Sequence, residues 1–110
     1  MPDRGPAHLY LDNQLVGEVI PQRKDDAWSH GHFRPNESFA KFAPLFGRWS
    51  LLMHADGEFG HLTHAARDEL RQTEIEMDSL RVKLHFYQRD EWVRVGQLNI
   101  DGPMVEWKAF

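Results

Sequence analysis

Residues 81–108 read RVKLHFYQRDEWVRVGQLNIDGPMVEWK, and this stretch decides the fold class. Apolar and polar residues alternate over Val82–Phe86 and again around Val93 and Val95, which is typical of strands with one buried side. Gly96 separates two alternations that are out of phase by one residue, which predicts a β-bulge at this position. The pattern predicts three strands joined by polar turns, over Arg81–Tyr87, Trp92–Ile100 and Met104–Lys108.

The N-terminal third of the chain carries the same kind of signal. Apolar-rich runs over His8–Leu11 and Leu15–Ile20 flank the pair Asp12-Asn13, and both residue types tolerate the positive φ of a tight hairpin turn. A polar loop is predicted over Pro21–Asp26. A third strand is predicted over Ala27–Arg34, where small residues alternate with large ones.

Between the two groups of strands, the apolar spacing changes to that of helices. Asn36 is a candidate N-cap for an apolar stripe that Pro44 interrupts, which predicts a kink or two short helices, the second ending before Gly57. A longer helix is predicted around Thr63, a second candidate N-cap, because apolar residues recur there at steps of three and four positions. This stripe consists of Leu62, Ala66, Leu70, Thr73, Met77 and Leu80. Ile75 lies on the opposite side of the same helix.

The order of three strands, helices and three strands predicts an α+β fold. We expect an antiparallel sheet of about six strands, three N-terminal and three C-terminal, with two or three helices packed on one face. The 110 residues, 41% of them hydrophobic and 27% charged, are typical of a single soluble globular domain. We therefore expect one domain over residues 1–110, with residues 1–6 disordered.

Composition excludes several classes of protein. The chain has no cysteine, so it contains neither disulfides nor zinc thiolate sites nor thiol nucleophiles. A net charge of −4 and a pI near 5.9 disfavour a nucleic-acid binder held by phosphate contacts. Because no apolar run follows the first residues, we expect no signal peptide and no membrane anchor, and we expect a cytoplasmic protein.

The polar side of the predicted sheet is the strongest candidate for a binding surface. If the alternating apolar residues face the helices, the residues between them face away and place aromatic rings among cations and imidazoles. Such a surface suits an acidic partner, because Trp and Arg are enriched at interface hot spots. The predicted binding residues are Trp28, His30, His32, Arg34, Arg81, Lys83, His85, Tyr87, Trp92 and Arg94. The alternative is that Trp28 and Trp92 are core residues or fold over the sheet edge.

The histidines suggest a different chemistry. The chain has seven, including the pairs His30/His32 and His61/His64, and Asp68 lies one helical turn beyond the second pair. Imidazole and carboxylate groups are common transition-metal ligands. Helical geometry, however, places the second pair and Asp68 away from the apolar stripe of their helix, so we predict no metal site and no cofactor.

Signals for catalysis are weaker still. No serine lies in a Gly-x-Ser-x-Gly motif, and Ser29 and His30 are neighbours on a strand, so their side chains point to opposite faces. Gly57 and Gly60 precede a helix but lack the Lys-Ser/Thr of a phosphate-binding loop. No catalytic residue is predicted.

These observations predict a small soluble non-catalytic interaction protein that works through an aromatic and basic sheet face. Its partner would be an acidic protein or a second copy of the chain in a homodimer, and neither nucleic acid nor a membrane is expected as a partner. The alternative hypothesis is a small-molecule or metal-dependent enzyme that uses the histidine cluster. An enclosed pocket with convergent titratable groups would favour the enzyme, and a flat aromatic face would favour the interaction protein.

Overall fold

The structure is a computed structural model that describes the backbone of residues 4–59 and 63–109 and the side chains of residues 4–55 and 63–109. Its strands are β1 (Ala7–Leu11), β2 (Gln14–Asp25), β3 (Trp28–Pro35), β4 (Val82–Phe86), β5 (Glu91–Asp101) and β6 (Met104–Ala109). Between β3 and β4 lie a short 3-10 helix (Glu37–Lys41), α1 (Ala43–Phe59) and α2 (His64–Asp78). The order of three strands, helices and three strands therefore agrees with the sequence pattern.

The six strands form a closed antiparallel barrel, in the order β1-β2-β3-β6-β5-β4 with β4 paired back to β1. The predicted open sheet with helices packed on one face is therefore wrong. Alternation along a strand shows which of its sides is buried, but it does not show whether the two edges of a sheet meet. Here they meet because β1 pairs with β2 on one side and with β4 on the other, so the apolar sides of the strands face one another inside the barrel.

The loop predicted over Pro21–Asp26 belongs mostly to β2, which continues to Asp25 and pairs with Trp28 of β3. A bulge lies between Pro21 and Arg23, which is a position where a strand tolerates proline. Residues 22–25 are exposed. Their polar composition therefore reflects an exposed extension of a strand and not a loop.

Side chains from all six strands fill the barrel interior. Phe33 of β3 and Leu84 and Phe86 of β4 are at most 2% exposed. The other buried hydrophobic side chains of the strands are those of Ala7, Leu9, Leu11, Val16, Val19, Val82, Val95, Leu98, Ile100, Val105 and Trp107. Because side chains fill the interior of this small barrel, a partner or ligand can bind only at its outer surface.

Several local predictions are confirmed. Asp12 and Asn13 have φ of 49° and 66°, as the hairpin turn requires. The register of β5 against β6 shifts between Val95 and Gln97, which places the bulge at Gly96. Disorder was predicted for residues 1–6, of which residues 1–3 lie outside the described residues. Arg4 is described, and its Nε lies 3.1 Å from a carboxylate oxygen of Glu91 in β5.

The helices begin at the predicted caps. Asn36 accepts a hydrogen bond from the Ser38 backbone N–H, and Thr63 accepts one from the Ala66 backbone N–H. Pro44 lies in the first turn of α1, where a missing N–H leaves no hydrogen bond unmade. The apolar stripe is thus divided into the 3-10 helix and α1 as predicted, although α1 continues to Phe59.

The helices pack on each other and against β5, and their buried hydrophobic residues join the hydrophobic core of the barrel. Phe46 of α1 and Thr73 and Met77 of α2 are buried, whereas Ile75 is 55% exposed on the opposite side of α2. Leu62, the first residue of the predicted stripe, lies outside the described residues. None of the helices that the structure describes contains an apolar stretch that could span a lipid bilayer.

Candidate functional site

Barrel closure divides the predicted binding residues between two sides of the molecule. In the order β1-β2-β3-β6-β5-β4, strands β3 and β4 are three positions apart in both directions, so they lie on opposite sides of the barrel. The described residues therefore do not form the single binding face that was expected of an open sheet. Its members still point outward, but they form two separate surfaces.

The first surface, called the ring face below, consists of the side chains of His8, Tyr10, His85, Tyr87 and Trp92. Cross-strand register explains its formation, because His8 of β1 pairs with His85 of β4, which pairs with Trp92 of β5. Cross-strand neighbours on one side of a sheet lie within contact distance. Sequence reasoning missed His8 and Tyr10, although their alternation with the buried residues of β1 marks them as outward-facing.

The rings of this surface are in mutual contact. His85 stacks on Trp92 with centroids 4.2 Å apart, and the Tyr10 ring centroid lies 5.3 Å from that of Trp92. His8 lies 4.4 Å from Tyr87 and 6.5 Å from His85. The five rings thus form one continuous row across β1, β4 and β5.

Carboxylates hold two of these rings in place. Asp90 Oδ1 lies 2.8 Å from His85 Nε2, and the Tyr87 hydroxyl donates to Glu18 Oε2 at 2.7 Å. The Glu18 hydrogen bond, with smaller contributions from burial and from the Glu18 charge, raises the pKa of Tyr87 above its ordinary value. Arg34 extends this group, since its guanidinium lies 3.9 Å from Glu18.

Cations flank the ring face. The Lys83 ammonium lies 5.9 Å from the centroid of the Trp92 ring, within the range of a cation–π contact. Lys83, Arg81 and Arg94 also line a groove of about 440 Å³ beside β4 and β5, with Asp78 of α2 at its other wall. Trp92 is 53% exposed and is not a core residue.

The second surface contains Trp28 and His30 and is called the indole cleft below. It comprises two adjoining cavities of about 210 Å³ and 320 Å³ that share Trp49, Asn99 and Glu106. Trp28 lines the larger cavity and His30 the smaller one. The remaining predicted residue, His32, is half-buried on β3 and pairs with Met104 at the edge of the smaller cavity.

Beside the cleft, α1 is fastened to the end of β5. Ser50 donates to Asp101 Oδ1 at 2.7 Å, and His54 Nε2 lies 2.9 Å from Asp101 Oδ2. The Ser50 and His54 hydrogen bonds, in that order, lower the pKa of Asp101 against the opposing effect of burial. A nucleophilic triad requires histidine between the serine and the acid, and here the acid lies between the other two, so the group is a helix-to-barrel tether.

The histidine cluster of the enzyme hypothesis is only partly described. His64 lies 3.6 Å from Asp68, and its side chain is 93% exposed, whereas His61 lies outside the described residues. Among residues 4–59 and 63–109, no group of three or more His, Cys, Asp or Glu side chains is placed to hold a metal ion.

We compared the chain with protein-family models, with curated protein sequences and with solved structures, and no match was found in any of the three comparisons.

Proposed function

We propose that this protein is a small interaction protein that binds an acidic segment of a partner protein through the ring face. The observation that supports this most directly is the row of five contacting rings on the outside of the barrel, in which Trp92 remains 53% exposed. Exposed aromatic rings beside cations have the composition of an interface hot spot.

The ring face is preorganised for binding. Stacking between His85 and Trp92 and the hydrogen bond from Tyr87 to Glu18 limit the rotamers of these side chains before a partner arrives. Binding then costs less side-chain entropy than it would on a surface of freely rotating residues. The surrounding strands form a closed barrel, which fixes the spacing of the rings.

Charge identifies the kind of partner. The cations around the ring face are Arg34, Arg81, Lys83 and Arg94. Acids lie among them as well: Glu18 and Asp90 are engaged with Tyr87 and His85, and Asp78 lines the groove together with Arg81, Lys83 and Arg94. Lys83 lies 5.9 Å from the centroid of the exposed Trp92 ring, so it is the cation that a carboxylate at this ring would meet. Electrostatic complementarity favours a partner that presents carboxylates here.

The experiment is a selection of phage-displayed random peptides on the immobilised full chain. We expect the enriched peptides to combine Asp or Glu with an aromatic residue. Lys83→Glu and Trp92→Ala should each weaken binding of these peptides by about fivefold or more, which corresponds to about 1 kcal/mol. Lys24→Glu is the matched control, because Lys24 is an exposed cation on the far extension of β2, and it should leave binding unchanged.

Three outcomes would overturn the proposal. One is enrichment of peptides without acidic residues, and another is equal loss of binding in Lys24→Glu and Lys83→Glu. The third is a homodimer that Trp92→Ala dissociates, since the ring face would then bind a second copy of the chain.

A further inference from the structure

The indole cleft is lined by residues of β3, β5 and β6 of the barrel and by residues of α1 and α2. Its two cavities are continuous through Trp49, Asn99 and Glu106, which line both. A second indole, Trp28, lines the larger cavity. The cleft therefore combines concave shape with aromatic and thioether walls, which is the usual character of a small-molecule site.

The charged groups of the cleft are almost all negative. Glu106 lines both cavities, Asp101 lines the smaller one, and Glu74 and Asp78 line the larger one. Among the described residues that line the two cavities, none is Lys or Arg. His30 is the one lining side chain that can become positive, and it lies at one end, 3.7 Å from Glu106.

Hydrogen bonds fix the acceptor side of this cleft. Asn99 Nδ2 donates to Glu106 Oε1 at 2.9 Å, so Glu106 is held between two strands with its other oxygen directed to His30. Asp101 is held by Ser50 and His54. Both carboxylates line the smaller cavity together with Trp49, and no Lys or Arg is among the described residues that line the cleft.

We propose that the indole cleft binds a small organic cation, such as a quaternary ammonium or a protonated amine, between Trp28, Trp49 and Glu106. The face of an indole attracts an alkylammonium group through its quadrupole, and a carboxylate beside it supplies the opposite charge. Neutral and anionic ligands lack the first interaction, and anions are repelled by the acids. This inference is independent of the acidic partner at the ring face.

The experiment uses choline as the probe and the full chain labelled with ¹⁵N. Indole N–H resonances report on each of the four tryptophans separately. We expect saturable shifts of the Trp28 and Trp49 resonances, while those of Trp92, on the ring face, and Trp107, in the core, stay in place. The uncharged isostere 3,3-dimethyl-1-butanol, titrated at the same ionic strength, should bind at least about tenfold more weakly, because it lacks the charge that the cation–π contact requires.

Two variants locate the site. Glu106→Gln keeps the shape and the hydrogen bond from Asn99 but removes the charge, and it should weaken choline binding about fivefold. Glu18→Gln makes the same chemical change on the ring face and should leave choline binding unaltered. A parallel titration with n-butylamine assigns the class of cation, since tighter binding of choline indicates a quaternary ammonium and tighter binding of butylamine indicates a primary amine.

The proposal is overturned if the neutral isostere binds as tightly as choline. It is also overturned if the shifts do not saturate, if Trp92 shifts together with Trp28 and Trp49, or if Glu18→Gln and Glu106→Gln weaken binding equally. Unchanged amide resonances of the barrel core in each variant exclude loss of folding as the cause.

Discussion

The imidazole of His85 stacks on the indole of Trp92, with ring centroids 4.2 Å apart and an angle of 14° between the ring planes. The two residues pair across β4 and β5 on the outside of the barrel. Their contact orders a large apolar ring that remains 53% exposed. If this surface binds a partner as proposed, Trp92→Ala should weaken that binding more than it destabilises the fold.

Trp92 and Trp107 offer a direct comparison, because both are tryptophans of the C-terminal strands and only Trp107 is buried. Trp92→Ala should lower the free energy of unfolding by about 1 kcal/mol, the value of a lost ring contact. Trp107→Ala should lower it by about 3 to 5 kcal/mol, because it empties part of the core. Urea unfolding measures both values. Equal losses would show that Trp92 is a structural residue.

Tyr87 should titrate at higher pH than an ordinary tyrosine, because Glu18 accepts the hydrogen bond of its protonated form. Glu18→Ala removes both the hydrogen-bond acceptor and the negative charge, and it should lower the pKa of Tyr87 towards the ordinary value of about 10. Ring carbon shifts in NMR separate Tyr87 from Tyr10, which is the internal control. Because the pKa of Tyr87 is raised in the folded protein, this hydrogen bond stabilises the fold at any pH below the pKa of Tyr87 in the unfolded chain. The stabilisation is lost as the pH rises through the pKa of Tyr87 in the folded protein. An unchanged Tyr87 titration in Glu18→Ala would rule out this cause.

Asp101 should stabilise the protein in a pH-dependent way, since the Ser50 and His54 hydrogen bonds lower its pKa. A lowered carboxyl pKa contributes stability that is present above the unfolded value of about 3.9 and is lost as the pH falls through the folded value. Asp101→Asn should therefore be less stable than the wild type at neutral pH, and the difference should shrink in strong acid. Urea unfolding at several pH values measures this difference, and a constant difference would contradict the assignment.

Two glycines should respond in opposite directions to replacement by alanine. At Gly47 in α1, an added Cβ would have no neighbour within 4 Å, so Gly47→Ala should stabilise the helix by about 0.5 to 1 kcal/mol. At Gly31 in β3, the Cβ would lie 2.6 Å from the Ile20 carbonyl oxygen, so Gly31→Ala should destabilise the barrel. Thermal unfolding gives both signs, and stabilisation by Gly31→Ala would contradict the close approach of β2 and β3.

The features that were predictable from sequence are those decided within a few residues. The Asp12-Asn13 turn, the Gly96 bulge and the caps at Asn36 and Thr63 depend on local backbone geometry or on short hydrogen bonds, and each is present. Barrel closure depends on the pairing of β1 with β4, for example Leu9 with Leu84, and these residues are far apart in the chain. No local pattern specifies such a pairing.

The same distinction explains which candidate residues came together. Lys83, His85, Trp92 and Arg94 lie on strands joined by a short turn, so alternation was sufficient to place them on one side. Trp28 and His30 also point outward, but their position relative to β4 depends on the order of strands around the barrel. In the closed barrel they line the indole cleft together with Trp49 of α1, a proximity that could not be predicted from the sequence.

If the ring face is the binding surface, ¹⁵N amide shifts should locate a bound peptide there. The acidic peptide most enriched in the phage selection is titrated into the labelled full chain. We expect saturable shifts confined to β1, β4 and residues 91–95 of β5, and their loss in Trp92→Ala. Shifts centred on α1, α2 or β3 that persist in Trp92→Ala would contradict it.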